Sequence, residues 1–300
     1  MSGASAFQLN SRAEAATHTL PPLLVEAERV AATVILGVHG RKRAGPGESF
    51  WQYRPYSFGD STQRIDWHKS ARSDRVYIRE NEWEAANTLW LWSSPSATMD
   101  FKSHLSSATK RDRAELVALA MGSLAVRAHE RIGAIGSPMQ PGHSRGTLLR
   151  IAEWMLLHEG PPLPVMGPVQ RFSSIVVLSD FLQPIEEIAT AVTRMAATGA
   201  SGHIVQVTDP AEESLPYDGR VEFRAVEGPL RYLADKTESL RDAYIRKFNE
   251  HRDALRELAR RVGWSFTVHR TDESAIKLLM TLHALVGGTK SRAFGTSASA

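Results

Sequence analysis

One six-residue stretch constrains this chain more than any other. Ser174-Ile175-Val176-Val177-Leu178-Ser179 sets four aliphatic residues in a row with no polar alternation. A strand of that kind is covered on both faces, and two covered faces imply a parallel sheet with helices above and below it. The surrounding pattern agrees: strands are expected at 88–92, 131–135, 174–179, 203–207 and 264–268, and helices at 111–129, 147–158, 185–197, 237–261 and 274–285. Five alternations of this kind predict an α/β fold, a doubly wound and mainly parallel sheet.

Upstream of residue 87 the pattern is different. Pro21-Pro22 punctuates the start of an expected helix over 23–38, and 40–81 is rich in Gly, Pro, Arg and aromatic residues, with only short strand candidates such as Arg75-Val76-Tyr77-Ile78. A further short strand is expected at Val221-Glu222-Phe223. The expected organisation is a flexible arm over 1–19, an N-terminal helix and Arg/aromatic-rich segment over 20–86, the α/β body over 87–286, and a flexible tail over 287–300.

Composition narrows the chemistry. The chain of 300 residues contains no cysteine, which excludes a disulfide scaffold, a thiol nucleophile and thiolate-held metals. Its 36 basic residues against 33 acidic ones give no reason to expect a nucleic-acid protein. Locally, nine basic residues face four acidic ones between Arg41 and Arg79, interleaved with Phe50, Trp51, Tyr53, Tyr56, Phe58, Trp67 and Tyr77. That mixture suits either stacked bases with phosphates or a protein interface. No apolar run approaches the ~20 residues of a spanning helix, so a cytoplasmic protein is expected. There is no G-x-x-x-x-G-K-[ST] loop to bind ATP and no paired histidine spacing for zinc. The acidic pairs Glu186-Glu187 and Glu212-Glu213 read as solvated surface.

Ligands of open α/β sheets bind beyond the carboxyl ends of the strands. The polar residues expected there are Ser94, Ser96, Thr98 and Asp100, then Asp180, Asp209, His269, Thr271 and Asp272. Hydroxyls from one loop facing a carboxylate from another suit magnesium. The plainer reading is that Ser94 and Ser96 cap the following helical turn and Asp180 caps the helix beginning near Pro184.

Three segments carry a resemblance: Tyr53-Arg54-Pro55-Tyr56-Ser57-Phe58-Gly59-Asp60, Arg64-Ile65-Asp66-Trp67-His68-Lys69-Ser70-Ala71-Arg72 and Val76-Tyr77-Ile78-Arg79-Glu80. In this order and spacing the chain resembles the bacterial domain-of-unknown-function family fifty-eight, which joins such a segment to a von Willebrand factor A-like, Rossmann-like domain. The resemblance extends to Ser179-Asp180-Phe181, Val207-Thr208-Asp209-Pro210 and Val262-Gly263-Trp264. It implies an adaptor of a MoxR-type AAA+ ATPase acting on an unknown protein client, peripheral to the inner membrane at most through a partner, and not an enzyme. The signature residues would be Arg54, Gly59, Asp60, Arg64, Asp66, Trp67 and Arg72, with Asp60 or Asp66 bridging arginines.

One departure matters. The metal-ion-dependent adhesion site of A-like domains runs Asp-x-Ser-x-Ser, and here the stretch is Ser94-Pro95-Ser96-Ala97-Thr98, then Met99. Serine replaces the leading aspartate, Asp180 keeps the second carboxylate, and the separate threonine has only Ser144 or Thr147 as candidates. Ser96, Thr98 and Asp180 would therefore hold magnesium weakly or not at all, with no other cofactor expected, and Ser94, Ser96, Thr98 and Asp180 would form a contact rim. The competing chemistry is hydrolysis, by a metal-dependent site on the same rim or by a serine: Gly142-His143-Ser144-Arg145-Gly146 fits G-x-S-x-G, and Ser144, Asp209 and His269 follow the order of an α/β-hydrolase triad. Against it, the loop 137–141 separates Ser144 from the preceding strand.

Overall fold

The computed structural model describes residues 22–35, 50–57, 65–73, 75–81, 88–165, 167, 169–171, 173–226, 229 and 231–295. The chain divides into two compact units, Gly40–Ala86 and a larger one made of Met1–His39 with Asn87–Ala300. Helix α1 (22–35) thus belongs to the larger unit, not with the Arg-rich segment, because its apolar stripe of Ala27, Val30, Ala31 and Val34 is buried in that unit's core. The arm over 1–19 lies outside the described residues.

The smaller unit is built on an antiparallel pair, β1 (Phe50–Pro55) and β2 (Tyr77–Asn81), with Tyr53 opposite Arg79 and Pro55 opposite Tyr77. The aromatic residues of β1 favour a strand, yet its partner lies beyond an intervening helical turn, α2 (Trp67–Ser70). Asp66 caps that turn, accepting from the Lys69 amide at 2.9 Å, and the Ser70 hydroxyl accepts from the Tyr77 amide at 2.9 Å. The turn is therefore tied to the start of β2.

In the larger unit the strands are β3 (Thr88–Ser93), β4 (Arg131–Ala134), β5 (Ser174–Ser179), β6 (Ser201–Thr208) and, after a separate antiparallel pair β7 (Val221–Arg224) and β8 (Arg231–Ala234), β9 (Ser265–Arg270). The helices are α3 (Lys110–Arg127), α4 (Arg145–Leu157), α5 (Ile185–Ala196), the short α6 (Pro210–Ser214), α7 (Glu238–Arg261) and α8 (Ala275–Gly295). The five-stranded sheet is parallel throughout, in the order β4-β3-β5-β6-β9.

Side-chain alternation explains both cores. Leu89, Leu91, Val176, Leu178, Val205 and Val207 face α1, α3, α4 and α8, while Trp90, Trp92, Ile175, Val177 and Ile204 face α5 and α7. The run at 174–179 is apolar because its odd and even residues feed different layers. Helix α3 is buried from Ala114 through Ala125, packed on β3 and between α4 and α8, which accounts for its nearly all-round apolar sequence.

One expectation is corrected and another, the short strand at 221–223, is extended. The flexible tail does not begin at 287: α8 continues to Gly295. Two glycines cost about 1 kcal/mol each in a helix, too little to end one anchored by buried Leu278, Leu279, Leu282 and Val286. The turn-rich passage after β6 contains a hairpin, since Val221–Arg224 pairs with Arg231–Ala234, a partner whose sequence carries no strong strand signal.

Candidate functional site

β4 is added on one side of β3, and β5, β6 and β9 are added on its other side, so the lateral order of strand addition reverses between β3 and β5. The carboxyl ends of these two strands adjoin: the Ser94 amide donates to Leu178 O at 3.0 Å. A ligand crevice is expected at such a reversal.

The loop after β3 is closed by its own groups. The Ser94 hydroxyl donates to Pro162 O at 3.1 Å and accepts from the Ser96 amide. Ser96 caps the turn Ala97–Asp100, accepting from the Thr98 amide, and its hydroxyl lies 2.9 Å from that of Thr98. Ser96 therefore caps the turn, as the plainer sequence reading has it, whereas Ser94 braces the loop before it and is not its cap. Met99 plugs the core with no exposure. Arg111 then clamps the loop, donating to the carbonyls of Ser94, Pro95 and Ser96 and pairing with Asp100.

Asp180 does not cap the next helix. Pro184 is the N-cap of α5, without a side-chain bond. Asp180 is fully buried, and its Oδ2 accepts from Lys110 Nζ at 2.9 Å, with neither side chain exposed. The same ammonium reaches Glu212 Oε1 at 2.5 Å. Glu212 is held by a capping box at α6, its other oxygen accepting from the Asp209 amide at 2.9 Å. Burial raises the Glu212 carboxyl above its ordinary value despite the pull of Lys110.

The neighbouring acid, Glu213, accepts from Thr208 and pairs with Arg252, whose Nε donates to the Gln206 side chain. Gln206 in turn donates to Asp180 O at 3.3 Å. So Glu212 and Glu213 are rim acids with named partners, not a solvated pair. Phe181, the next residue after Asp180, has φ 52, a strained setting for an aromatic residue. Its carbonyl lies 2.6 Å from His251 Nε2.

Lys110, Arg111 and Glu212 are the rim residues that sequence reasoning overlooks. The D-x-x-E spacing of Asp209 and Glu212 was the available signal, since a capping box holds its acid beside the backbone at a helix start. Nothing local distinguishes Lys110 from an exposed lysine in a first helical turn.

As arranged here, Ser96, Thr98 and Asp180 do not present the open oxygen set that the A-like metal motif uses, in keeping with the loss of its leading aspartate at Ser94. Magnesium requires about six oxygens near 2.1 Å, usually including carboxylates. Here the hydroxyls of Ser96 and Thr98 bond each other, that of Ser94 turns to Pro162 O, and Asp180 is paired to Lys110. A dication about 4 Å from that ammonium would be repelled by roughly 8 kcal/mol at an effective dielectric of about 20.

The proposed triad does not assemble. Ser144 caps α4, accepting from the Thr147 amide at 3.1 Å, with its hydroxyl 3.0 Å from that of Thr147. Gly142 pairs with Ile132 of edge strand β4, whereas His269 lies on β9 at the opposite edge. Four strand spacings separate those edges, about 19 Å. Asp209 is committed to the amides of Ala211 and Ser103, at 2.8 and 2.9 Å. Burial lowers the His269 imidazole to about 4.

Among the signature residues, Arg54 sits on β1 opposite Ile78, Asp66 caps α2, Trp67 is 66% exposed and Arg72 is exposed in the turn that follows. Gly59, Asp60 and Arg64 lie outside the described residues, and with them the expected bridge from Asp60.

Beside the rim lies a groove of about 810 Å³ between α6, α7 and the β7–β8 pair, lined by Phe101, Leu215, Tyr217, Phe223, Tyr232 and Tyr244. Glu212 and Lys247 also line it, and Lys247 makes no ion pair with a described residue. Tyr232 and Leu233 of β8 stay 55% and 49% exposed. No helix among the described residues is long and apolar enough to cross a membrane.

The family model described as "Protein of unknown function DUF58" matches residues 52–254. The chain is 27% identical over 259 residues to uncharacterized proteins of Mycobacterium bovis and Mycobacterium tuberculosis, covering 80% of this chain and 80% of each relative. Among solved structures it is similar to the conserved hypothetical protein BatB from Bacteroides thetaiotaomicron and to an aerotolerance-related membrane protein from Bacteroides fragilis. Each shares 13% identity at a TM-score of 0.38, over 67% of this chain and 99% of the other.

Proposed function

The chain belongs to the DUF58 family, and on that premise we propose that it is a non-enzymatic interaction protein whose partner docks at the carboxyl rim of the parallel sheet. The aromatic groove between α6, α7 and β7–β8 carries this reading. Groups of this kind, with exposed Tyr232 and Leu233 at the edge, are what a protein partner buries in an interface core. The occupant is a partner segment with an apolar or aromatic anchor and an acidic residue that meets Lys247. The partner is a MoxR-type AAA+ ATPase, and the role is chaperone-like assembly or activation of a client complex. The work is cytoplasmic, without nucleic acid, and at the inner membrane only through a membrane-anchored partner.

The test is affinity purification of the full chain from native lysate with and without ATP, alongside Tyr232→Ala/Lys247→Glu. Recovery of an AAA+ ATPase by the wild type and its loss from the variant is expected. Recovery of no such ATPase, or equal recovery by both, overturns the reading. The rival hydrolase would instead show labelling of Ser144 by a fluorophosphonate probe.

A further inference from the structure

We infer that the Lys110 ammonium is the resident cation of this rim, taking up Asp180, the carboxylate that the resemblance assigns to a divalent ion. Three observations converge on it. Lys110 Nζ lies 2.9 Å from Asp180 Oδ2 and 2.5 Å from Glu212 Oε1, and the Lys110 and Asp180 side chains have no exposure at all. The ammonium also sits 5.8 Å from the centre of the Phe101 ring, and the Lys110 amide donates to Phe101 O, so the stem enters under the loop that follows the serine motif. Arg111, the next residue, takes the carbonyls of Ser94, Pro95 and Ser96. Adjacent cations at the start of α3 thus serve both halves of the rim: Lys110 bridges the carboxylates beyond β5 and β6, and Arg111 organises the loop beyond β3.

The replacement of aspartate by Ser94 follows from the same arrangement. A lysine brings one positive charge and donates hydrogen bonds, whereas a divalent ion brings two and accepts lone pairs. Asp180 and Glu212 already share the one ammonium, and a carboxylate at 94 would add a further buried negative charge at the same strand ends with no cation of its own. A serine hydroxyl can instead donate to Pro162 O. The rim is therefore a fixed-charge site, complete without any ion from solution, and this holds whichever partner docks beside it.

The full chain is titrated with Mn²⁺ and Mg²⁺ by calorimetry and by manganese EPR, and its melting temperature is measured with and without a chelator. The wild type is expected to show no saturable binding and no shift in melting temperature. Lys110→Ala combined with Ser94→Asp is expected to gain saturable Mn²⁺ binding that a further Asp180→Asn abolishes. Saturable Mn²⁺ binding by the wild type that Asp180→Asn removes overturns the inference, and so does a folded double variant that binds no Mn²⁺. Should the double variant not fold, the wild-type titration with its Asp180→Asn control decides alone. None of these readouts depends on a partner, so they separate from the capture experiment.

Discussion

Lys110 and Asp180 lie 70 positions apart in the chain and meet at 2.9 Å with neither side chain reaching solvent. A buried pair of this kind stabilises little relative to an apolar pair, but breaking it leaves an uncompensated charge and costs about 3–5 kcal/mol. Lys110→Met strands Asp180 and also frees Glu212, whereas Glu212→Gln leaves the inner pair intact. Urea unfolding should therefore show a loss of that order for Lys110→Met and a clearly smaller one for Glu212→Gln. Equal losses would mean that Glu212, not Asp180, is the main partner of the ammonium.

Glu115 sits one turn after Arg111 on α3 and is 3% exposed. Burial is the main reason its carboxyl is raised to about 7. A raised carboxyl gives stability that is full below the unfolded value near 4.5 and is lost as the pH climbs through 7. The span corresponds to about 3 kcal/mol. Glu115→Gln should flatten this part of the pH profile and leave the protein more stable than wild type above pH 7. An unchanged profile between pH 4.5 and 7 would show that Glu115 is ionised in the folded chain.

Two histidines act in nearly the same window with the opposite sign. His203, whose Nδ1 lies 2.7 Å from the Ser265 hydroxyl, and His269 are both lowered to about 4, chiefly by burial. A depressed imidazole contributes stability that is present above its unfolded value near 6.5 and is lost as the pH falls toward 4. Acid should therefore destabilise the wild type below pH 6, and the loss should deepen when Glu115→Gln removes the opposing contribution. His203→Asn should recover part of the loss. Urea midpoints across pH 4 to 7 in the three proteins check both signs.

What the chain's order of residues discloses depends on how far each partner lies. The strands at 88–93 and 174–179 were legible because burial on both faces writes itself into consecutive residues. Helix α3 was legible for the same reason. The rim was legible only in part. Ser94, Ser96 and Asp180 could be placed at strand ends, but Asp180 looked like a cap because its true partner precedes it by two strands' worth of chain. Lys110 gave no signal, since a lysine at a helix start differs from its exposed counterparts only in what packs over it. Strand β1 is hard to read locally because its mate follows an intervening helical turn, and β8 because Arg231-Tyr232-Leu233-Ala234 is mostly exposed and need not alternate.

Beyond its ladder to β6, the start of edge strand β9 is set by one close approach. Trp264, just before β9, lies flat on Gly202 of β6, so close that a β-carbon at 202 would stand 1.9 Å from the ring. The indole Nε1 donates to Ala200 O at 3.3 Å, and the ring is buried with Leu255, Leu258 and Met195. Glycine is required here by space, not by backbone angle. Gly202→Ala must push the indole off its seat, with a cost of about 1–3 kcal/mol for overpacking. Trp264→Leu empties the same space and costs its own burial. The two together should cost less than the sum of the single changes, because the smaller side chain makes room for the new methyl. Urea unfolding of the four proteins, followed by far-UV dichroism so that loss of the tryptophan does not alter the signal, measures that coupling. Strict additivity would mean that the indole has other ways to move and that Gly202 is not what sets its position.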